Sequence, residues 1–234
     1  MSDMLSFSAL CPTGSSELQP IIECSGRLLC EVTPGSQTQA AITAFIQRRF
    51  MQSYGAQPRL RIPGLMALTG SHGALLAAVG VRPANDSRLF LEDYLDSPIE
   101  SLIPGDTPVD RRDLVEIAHL AGVEAGVSRY LFAALTLWLH DNGYRWIVFT
   151  GTELLRNSFR RMGIRSHALA PADPRRLPDG GAGWGRYYDH DPIVMAADVE
   201  AGYQALKRGG ILQRTRSVAT VLADGKEGAY GFIA

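Results

Sequence analysis

The spacing of apolar residues predicts a helix and then a hairpin in the first third of the chain. Apolar residues recur at helical spacing between Ile42 and Phe50, and Gly55 follows where a helix commonly stops. Two apolar runs, 59–68 and 74–81, come next and are separated by TGSHG, a sequence of turn composition. This arrangement is typical of two antiparallel strands joined by a short loop.

The most regular pattern runs from Asp113 to Gly163. It predicts, in order, a strand (113–121), a loop of small residues, a helix (126–142), a strand (145–149) and a helix (153–162). The second strand is continuously apolar, as expected when both faces of a sheet are covered. A strand that enters a helix through a small-residue loop also favours an anion site at the N-terminus of that helix.

The C-terminal half predicts a long loop and a final helix. Residues 171–185 are rich in Pro, Gly, Asp and Arg, and long loops in compact domains are usually functional or disordered. Residues 193–207 predict a helix that stops at a pair of glycines. The order of helix, hairpin, strand, helix, strand and helix indicates an α/β fold, with helices on both faces of a sheet.

Composition divides the chain into three parts. Residues 1–35 carry scattered Pro, Gly and Ser and predict a loose lead-in with at most one edge strand. From residue 211 the chain is polar and dotted with glycine, which predicts a partly ordered tail, 211–234. We therefore expect one folded domain over residues 36–210.

Charge and motif content exclude several classes of protein. The 234 residues carry a net charge of −1 with a pI near 6.5, which gives no general basic field for nucleic acid or an anionic membrane. We expect a cytoplasmic protein with no membrane span, because a signal peptide and an apolar run of roughly 18 residues are both missing. Irregular cysteine and histidine spacings predict neither a disulfide framework nor a metal site. Gly-rich nucleotide motifs are also missing.

Several segments resemble known acyltransferases. DLVEIAHLAG, followed by GVSRYLFAAL and an NGY stop, resembles the central motif of GCN5-related N-acetyltransferases. The chain is more narrowly similar to thermostable hemolysins, a family related to acyl-homoserine-lactone synthases. This similarity covers roughly residues 40 to 208 and lies in YGA (54–56), LFLEDYLDSPIE (89–100), VEIAHLA (115–121), VFTGTELLRNSFRRMG (148–163) and WGRYYD (184–189).

The resemblance implies a fold and an activity. The fold would be a mixed, mostly antiparallel twisted sheet with a central splayed strand pair, and the activity would be N-acyl transfer. An acyl group would move from a thioester, acyl-CoA or the acyl-phosphopantetheine of an acyl carrier protein, to the amine of a small molecule in a biosynthetic reaction. The pantetheine arm would pair with the splayed strand. The donor-binding residues would be Leu120, Ala121, Gly126, Val127, Ser128, Arg129 and Asn157.

The sequence departs from the family pattern at three positions. Val123 stands where the fold usually has Gln or Arg, and Glu124 opposes phosphate through like-charge repulsion, with Arg129 as compensation. Phe159 stands where the fold usually offers a tyrosine as general acid. A carrier-protein donor brings less phosphate to this loop than coenzyme A does. An aminoacyl-tRNA donor would need a basic patch such as Arg156, Arg160, Arg161, Arg165, Arg175 and Arg176.

Two side chains of the central strand are candidates for acid–base chemistry. Glu116 lies in an apolar strand, where a carboxylate needs a partner or a task. It would bind the acceptor amine or act as base through water; the alternative is a paired carboxylate with a structural role. His119 has an ordinary pKa suited to proton transfer, or it is a hydrogen-bonded core histidine. Strict alternation would place the two on opposite faces of the strand.

Further candidates follow the long loop. Tyr187 or Tyr188 would protonate the leaving thiolate, and an extended segment would turn only one of them inward; the alternative is packing beside Trp184. Acidic residues Glu92, Asp93 and Asp96 would hold a cationic amine or form a solvated turn.

Two rival functions remain open. The family name implies a membrane-lytic protein, for which the helix at 36–54 is the best membrane-contacting candidate, although core packing explains that helix as well. The second rival function is that of an interaction module, in which the protein keeps the fold but has no catalytic activity.

Overall fold

One sheet carries most of the regular structure. The computed structural model describes residues 17–219 except residues 62, 63, 71, 86, 106 and 125. Within these residues the strands are β1 (Leu18–Cys24), β2 (Arg27–Val32), β3 (Gly64–Thr69), β4 (Leu75–Pro83), β5 (Leu114–Gly122), β6 (Trp146–Gly151), β7 (His167–Pro171), β8 (Ile193–Asp198) and β9 (Thr215–Ser217). The α-helices are α1 (Gln37–Tyr54), α2 (Val127–Asp141), α3 (Glu153–Arg161) and α4 (Val199–Arg208).

The two central strands of this sheet separate at one end. In the described chain the strand order is β7-β8-β6-β5-β4-β3-β2-β1-β9, and β5 with β6 is the one parallel pair. Their pairing starts at Leu114 with Trp146 and ends at Ile117 with Phe149. Beyond that point β5 continues to Gly122 along β4, whereas β6 continues along β8. The predicted fold class, a mostly antiparallel sheet with a central splayed pair, is confirmed.

Helix α1 covers one face of the sheet. It begins at Ser36, whose hydroxyl accepts a hydrogen bond from the Gln39 N–H, and it ends at Gly55 with φ +63°. The predicted apolar stripe from Ile42 to Phe50 is buried in the core on this face. The apolar face of α1 is therefore used inside the fold, which removes the basis for reading α1 as a membrane-contacting helix. Within the described ranges, no helix is long and apolar enough to cross a bilayer.

The other helices cover the opposite face, and β3 shows how the sequence divides the two cores. Its residues alternate, so that Leu65 and Ala67 join the core under α1 while Met66 and Leu68 join the core under α2. Helices α3 and α4 pack beside α2 around a third apolar cluster, which includes Phe159. The prediction of helices on both faces is confirmed.

The predicted helix over 193–207 is wrong in its first part. Ile193–Asp198 is strand β8, which lies between β6 and β7, and α4 begins only at Val199. A continuous apolar run is compatible with a buried strand or a buried helix, so periodicity could not distinguish the two. Asp198 marks the switch, since its carboxylate accepts a hydrogen bond from the Ala201 N–H (2.6 Å) at the start of α4.

The lead-in and the tail contribute strands to the same sheet. β1 and β2 pair as a hairpin, and β9 adds to the outer edge of β1, with Ile22 opposite Ser217. The expectation of at most one edge strand before residue 36 is therefore wrong. Residues 1–16 and 220–234 lie outside the described chain, so the limits predicted for the domain stay predictions.

Candidate active site at the splayed strands

A pocket of about 540 Å³ lies where β5 and β6 separate. Its lining comes from α1, the loop before β5, the far half of β5, the start of α2, the end of β6, α3 and the WGRYY segment. Seven of the eleven predicted site residues line it: Glu116, His119, Leu120, Gly126, Ser128, Arg129 and Tyr187. The splay thus gathers residues that are distant in sequence around one cavity.

A bulge in β5 aims two of these side chains at the same cavity. Gly80 of β4 is opposite Ala118, but Ala78 is opposite Ala121, so β5 carries one extra residue. His119 sits at this point with φ +53°. The extra residue shifts the alternation of side chains, and Glu116 and His119 therefore both line the pocket. The expectation that they face opposite sides is wrong.

Glu116 is almost fully buried, with 1% of its surface exposed. Its two carboxylate oxygens accept hydrogen bonds from the backbone N–H groups of Phe90 (3.0 Å) and Leu91 (2.9 Å). Burial raises the pKa of Glu116, and these N–H groups offset the rise only in part. No ion pair to Glu116 exists within the described residues, and its pairing is with these two backbone N–H groups. A carboxylate has more acceptor positions than two hydrogen bonds use, which leaves capacity for an amine.

His119 is held neutral and has one unused ring nitrogen. Its Nε2 accepts a hydrogen bond from the Arg61 N–H (3.4 Å), which places the proton on Nδ1. Nδ1 is buried and has no partner among the described residues. Burial, and next the charge of Arg82, lower the pKa of His119 to about 4. The expectation of a base that titrates near neutrality is therefore wrong, and His119 offers a hydrogen-bond donor instead.

Aromatic side chains form one wall of the pocket. We call this set the aromatic wall: Phe50, Tyr54, Phe90, Tyr94, Trp184 and Tyr187. The ring of Trp184 lies nearly parallel to those of Phe90 (6.0 Å between centroids, 8°) and His119 (6.2 Å, 18°). Such contacts stabilise by about 0.5–1.5 kcal/mol per pair beyond their buried area. This wall gives the pocket a rigid, largely apolar surface beside Glu116.

The WGRYY segment is tied to the end of α1. The Arg186 N–H donates to the Tyr54 carbonyl (2.8 Å) and the Gln57 N–H to the Gly183 carbonyl (2.7 Å). Gly185 has φ +52°, and a Cβ there would lie 2.4 Å from the Tyr54 carbonyl oxygen, so only glycine fits. Part of the predicted long loop is therefore an ordered strap that carries Trp184 into the pocket.

The two neighbouring tyrosines differ in what they contact. Residues 187–190 form a 3-10 turn and not the predicted extended segment, but only one of the two tyrosines, Tyr187, lines the pocket, as expected. The Tyr187 hydroxyl donates to the Thr150 carbonyl (3.4 Å) at the splayed end of β6, and burial raises its pKa. The Tyr188 hydroxyl does not line the pocket but is hydrogen-bonded to that of Tyr94 (2.7 Å).

The other end of the pocket is polar and contains the start of α2. Gly126 caps this helix with φ +92° and no side-chain cap, and first-turn N–H groups have no partner within a helix. The Val123 N–H is taken by the Leu76 carbonyl (2.9 Å). Glu124 lines the same end, where its charge opposes phosphate as predicted.

Arginines offset that negative charge. We call Arg49, Arg129 and Arg161 the arginine rim, because all three line the pocket. None of them forms an ion pair within residues 17–219 as described. Arg49 donates to Gln52 and Arg161 to Ser158, so these groups have neutral partners but no acidic ones. Guanidinium groups without an acidic partner in a pocket that contains a helix N-terminus favour an anionic ligand.

The remaining predicted site residues lie outside the pocket lining. Ala121 is buried in the core under α1, and Val127 is buried in the core under α2. Asn157 lies on α3, where its side-chain oxygen accepts from Arg160 (2.9 Å). Its helix neighbour Ser158 lines the pocket instead. The side chains of Ala121 and Val127 therefore do not line the pocket. Ala121 pairs with Ala78 of β4, and Val127 lies in the first turn of α2.

The acidic cluster is held by arginines, and only Asp96 in it is exposed to solvent as a solvated turn would be. Glu92 is buried and accepts hydrogen bonds from Arg111 (2.8 Å), which also binds Glu100. Asp93 pairs with Arg61 (2.8 Å). Asp96 pairs with Arg176 (2.6 Å) and Arg175 with Asp173 (2.6 Å), so two arginines of the predicted basic patch are already paired.

The sequence does not identify four members of the aromatic wall, Phe50, Tyr54, Phe90 and Tyr94, or Arg49 of the arginine rim. The spacing of Phe50 predicts only a place in the core stripe of α1, and the segment of Phe90 and Tyr94 draws attention only through its acidic residues. The signal for Phe90 and Tyr94 was their place in a motif shared with the family, LFLEDYLDSPIE. The described residues contain no cluster of His, Cys, Asp or Glu suited to a metal ion.

Comparison with known proteins agrees with this architecture. The sequence matches the family described as thermostable hemolysin over residues 32–203, well over half of the chain. No curated protein matches it. Solved structures with the same fold include FeeM, an N-acyl amino acid synthase from uncultured soil microbes (10% identity, TM-score 0.52, covering 75% of this chain and 92% of that chain). The AHL synthase LasI (12%, 0.51, 77% and 94%) and TofI in an apo form (18%, 0.50, 81% and 96%) are also similar. At these identities the likeness concerns the fold.

Proposed function

The chain belongs to the thermostable hemolysin family, and we propose that it is an enzyme that transfers an acyl group from a thioester to the amine of a small molecule. One observation carries this proposal. The splay of β5 and β6, an uncapped helix N-terminus and a buried carboxylate without a cation partner all lie in a single pocket. The splay suits a peptide-like arm, the helix end suits its phosphate, and the carboxylate suits an amine.

The donor would lie along the far half of β5. A pantetheine arm contains amide groups, which can pair with the free strand edge as an added strand would. Its phosphate would meet the first turn of α2 at Gly126 and Ser128, together with Arg129 and the rest of the arginine rim. Both acyl-CoA and the acyl-phosphopantetheine of a carrier protein supply this arm. An aminoacyl-tRNA is less well supported, because Arg175 and Arg176 already bind Asp173 and Asp96.

The acceptor would bind between the aromatic wall and Glu116. The nitrogen of the neutral amine attacks the thioester carbonyl carbon, and Glu116 takes the proton that this nitrogen loses as the C–N bond forms. The Nδ1–H of His119 donates to the carbonyl oxygen as negative charge develops there. The new C–N bond forms, the C–S bond breaks, and the thiolate leaves. Tyr187, whose raised pKa keeps its hydroxyl protonated at neutral pH, supplies the proton to the thiolate.

A direct assay tests the proposal. Purified protein is incubated with S-acyl phosphopantetheine thioesters and a pool of primary amines, and mass spectrometry follows amides while a thiol reagent follows the released arm. We expect amide and thiol in equal amounts. The proposal is wrong if no acyl-CoA or acyl-phosphopantetheine raises the melting temperature and no thiol appears above the buffer control.

A further inference from the structure

A second, smaller cavity lies behind the pocket. Its volume is about 40 Å³, close to the roughly 30 Å³ that one water occupies in the liquid. Phe132 of α2 lines both cavities. One aromatic ring is therefore the shared wall between the active-site pocket and this inner cavity.

The approach to Phe132 from the pocket is apolar. Leu120, Leu155 and Met162 line the pocket and pack against the same cluster as Phe132 and Phe159. This cluster continues around the inner cavity, whose lining is Ile117, Phe132, Leu135, Thr136, Leu139, Ile147, Phe159, Ile164, Ala197, Asp198, Val199 and Gly202. An unbroken apolar surface thus runs from the splayed strands to the inner cavity.

The inner cavity offers little to a polar ligand. Thr136 and Asp198 are the polar side chains in its lining. Asp198 is committed to capping α4, through the hydrogen bond from the Ala201 N–H. Cavities lined by apolar side chains stay dry and accept hydrocarbon.

Phe159 forms part of the wall of the inner cavity. It stands where the fold usually offers a tyrosine hydroxyl, and it carries none. Its ring instead lines the inner cavity and meets the ring of Phe132 edge to face (5.0 Å, 88°). The position that lacks the hydroxyl therefore forms the closed end of an apolar passage.

We infer that the acyl group is an alkyl chain longer than acetyl, which passes Leu120, Leu155 and Met162 and ends at the inner cavity, where Phe132 and Phe159 limit its length. This inference rests on the proposed function. The small volume of the inner cavity admits about one or two terminal carbons. Phe132 and Phe159 would then be specificity-determining residues, not catalytic ones.

A chain-length series of S-acyl phosphopantetheine thioesters, from acetyl upward, tests this by calorimetry. For the unmodified protein, affinity should rise roughly fourfold per methylene and then fall once the chain outgrows the passage. Phe159→Ala enlarges the closed end, so the optimum should move to chains longer by about two or three carbons.

A second variant, Gly202→Ala, should move the optimal chain length towards shorter chains. Because this substitution should not disturb folding, it keeps the inference testable if Phe159→Ala misfolds. The added methyl group would have Ile164 Cγ2 as its nearest neighbour, at 3.9 Å, so it fits, and alanine favours a helix over glycine. It fills part of the inner cavity, and the optimum should shorten by about one carbon. Phe149→Leu is the control: Phe149 touches the Phe159 ring (5.1 Å) but lines neither cavity, so its optimum should not move.

The outcomes separate this inference from the function on which it rests. If no member of the series binds, the proposed function itself is wrong. If the series binds with an affinity independent of chain length, or if neither Phe159→Ala nor Gly202→Ala moves the optimum, the acyl passage is wrong while the donor site stands.

Discussion

Glu92 and Glu116 are both buried, and both hold the same loop, residues 89–99, by accepting hydrogen bonds from its backbone N–H groups. They differ in their other partners. Glu92 also binds Arg111 through two of its guanidinium nitrogens (2.8 and 3.2 Å). Glu116 has no such cation and lines the pocket instead.

This difference sets the charge state of each acid. Burial raises the pKa of Glu92, but Arg111 and two N–H groups outweigh it, and the net pKa is lowered. Burial of Glu116 is opposed by two N–H groups and by the charge of Arg82, with which it forms no ion pair, and its net pKa is raised. A buried acid that is fully paired serves the fold, whereas one left without a cation beside a cavity is available to a substrate.

The strongest test of the comparison is Glu116→Gln. Glutamine keeps the size of the side chain but cannot take a proton from the amine, so acyl transfer should fall by about 10²–10⁴-fold. Amide formation measured by mass spectrometry provides the rate. Glu92→Gln is the matched control: it should lower stability, while the protein that remains folded transfers the acyl group at nearly the unmodified rate. If Glu116→Gln and Glu92→Gln lost the same amount of activity, the difference in role between the two glutamates would be contradicted.

The largest effect on stability is expected when the ion pair between Arg111 and Glu92 is broken. Arg111→Met removes the cation from Glu92 and leaves a buried carboxylate without its partner, which should lower the free energy of unfolding by about 3 kcal/mol. Urea unfolding followed by circular dichroism measures this. A loss below about 1 kcal/mol would show that Arg111 is not needed to hold Glu92.

His119, which lines the same pocket as Glu116, should make the free energy of unfolding depend on pH. The pKa of His119 is about 4 in the folded protein and 6.5 as an ordinary value, so the unfolded chain binds the extra proton first as pH falls. The stabilisation that depends on neutral His119 is fully present above pH 6.5. Between pH 6.5 and pH 4 the free energy of unfolding should fall by about 1.4 kcal/mol per pH unit, and by about 3 kcal/mol in all. Urea titrations at several pH values should show this slope.

His119→Asn provides the matched comparison for that slope. Asparagine does not titrate there and tolerates the positive φ of this position better than most residues. The variant should therefore lose the decrease in stability that protonation of His119 causes between pH 6.5 and 4.5. Glu116, whose raised pKa acts in the opposite direction, is present in both proteins and does not affect the difference between them. An unchanged slope would mean that His119 has the same pKa in the folded protein as in the unfolded chain.

A smaller effect is expected on the loop that the two glutamates hold. Tyr188→Phe removes the hydrogen bond to the Tyr94 hydroxyl and should lower the free energy of unfolding by about 1 kcal/mol. Transfer should change little, since Tyr188 does not line the pocket. Tyr187→Phe, which removes the proposed proton donor, should reduce transfer more than stability. If Tyr188→Phe reduced transfer and Tyr187→Phe reduced mainly stability, Tyr188 and not Tyr187 would be the proton donor.

The sequence predicted the centre of the fold better than its edges. Strand β5, helix α2 and the stop at Gly55 follow from periodicity and glycine placement, which are local signals. Strand β8 was predicted as helix because a continuous apolar run carries no period. The hairpin of β1 and β2 was missed because its order comes from pairing with β3 and β9, which are distant in sequence.

The candidate site shows the same limit. Glu116 and His119 were identified from their chemistry, but their common direction depends on a bulge that alternation does not reveal. The pKa of Glu116 depends on Phe90 and Leu91, which lie 26 and 25 positions away in sequence. The low pKa of His119 depends on burial under Trp184 and Phe90, which tertiary packing alone supplies.

The most direct test of the account is a titration of both glutamates in one sample. Carbon-13 NMR of the side-chain carboxyl groups, assigned with Glu116→Gln and Glu92→Gln, reports each pKa separately. The account predicts that Glu116 titrates above the ordinary value of 4.5 and Glu92 below it. A Glu116 carboxyl that titrates at or below 4.5 would contradict the claim that this acid is kept without a cation for the substrate amine.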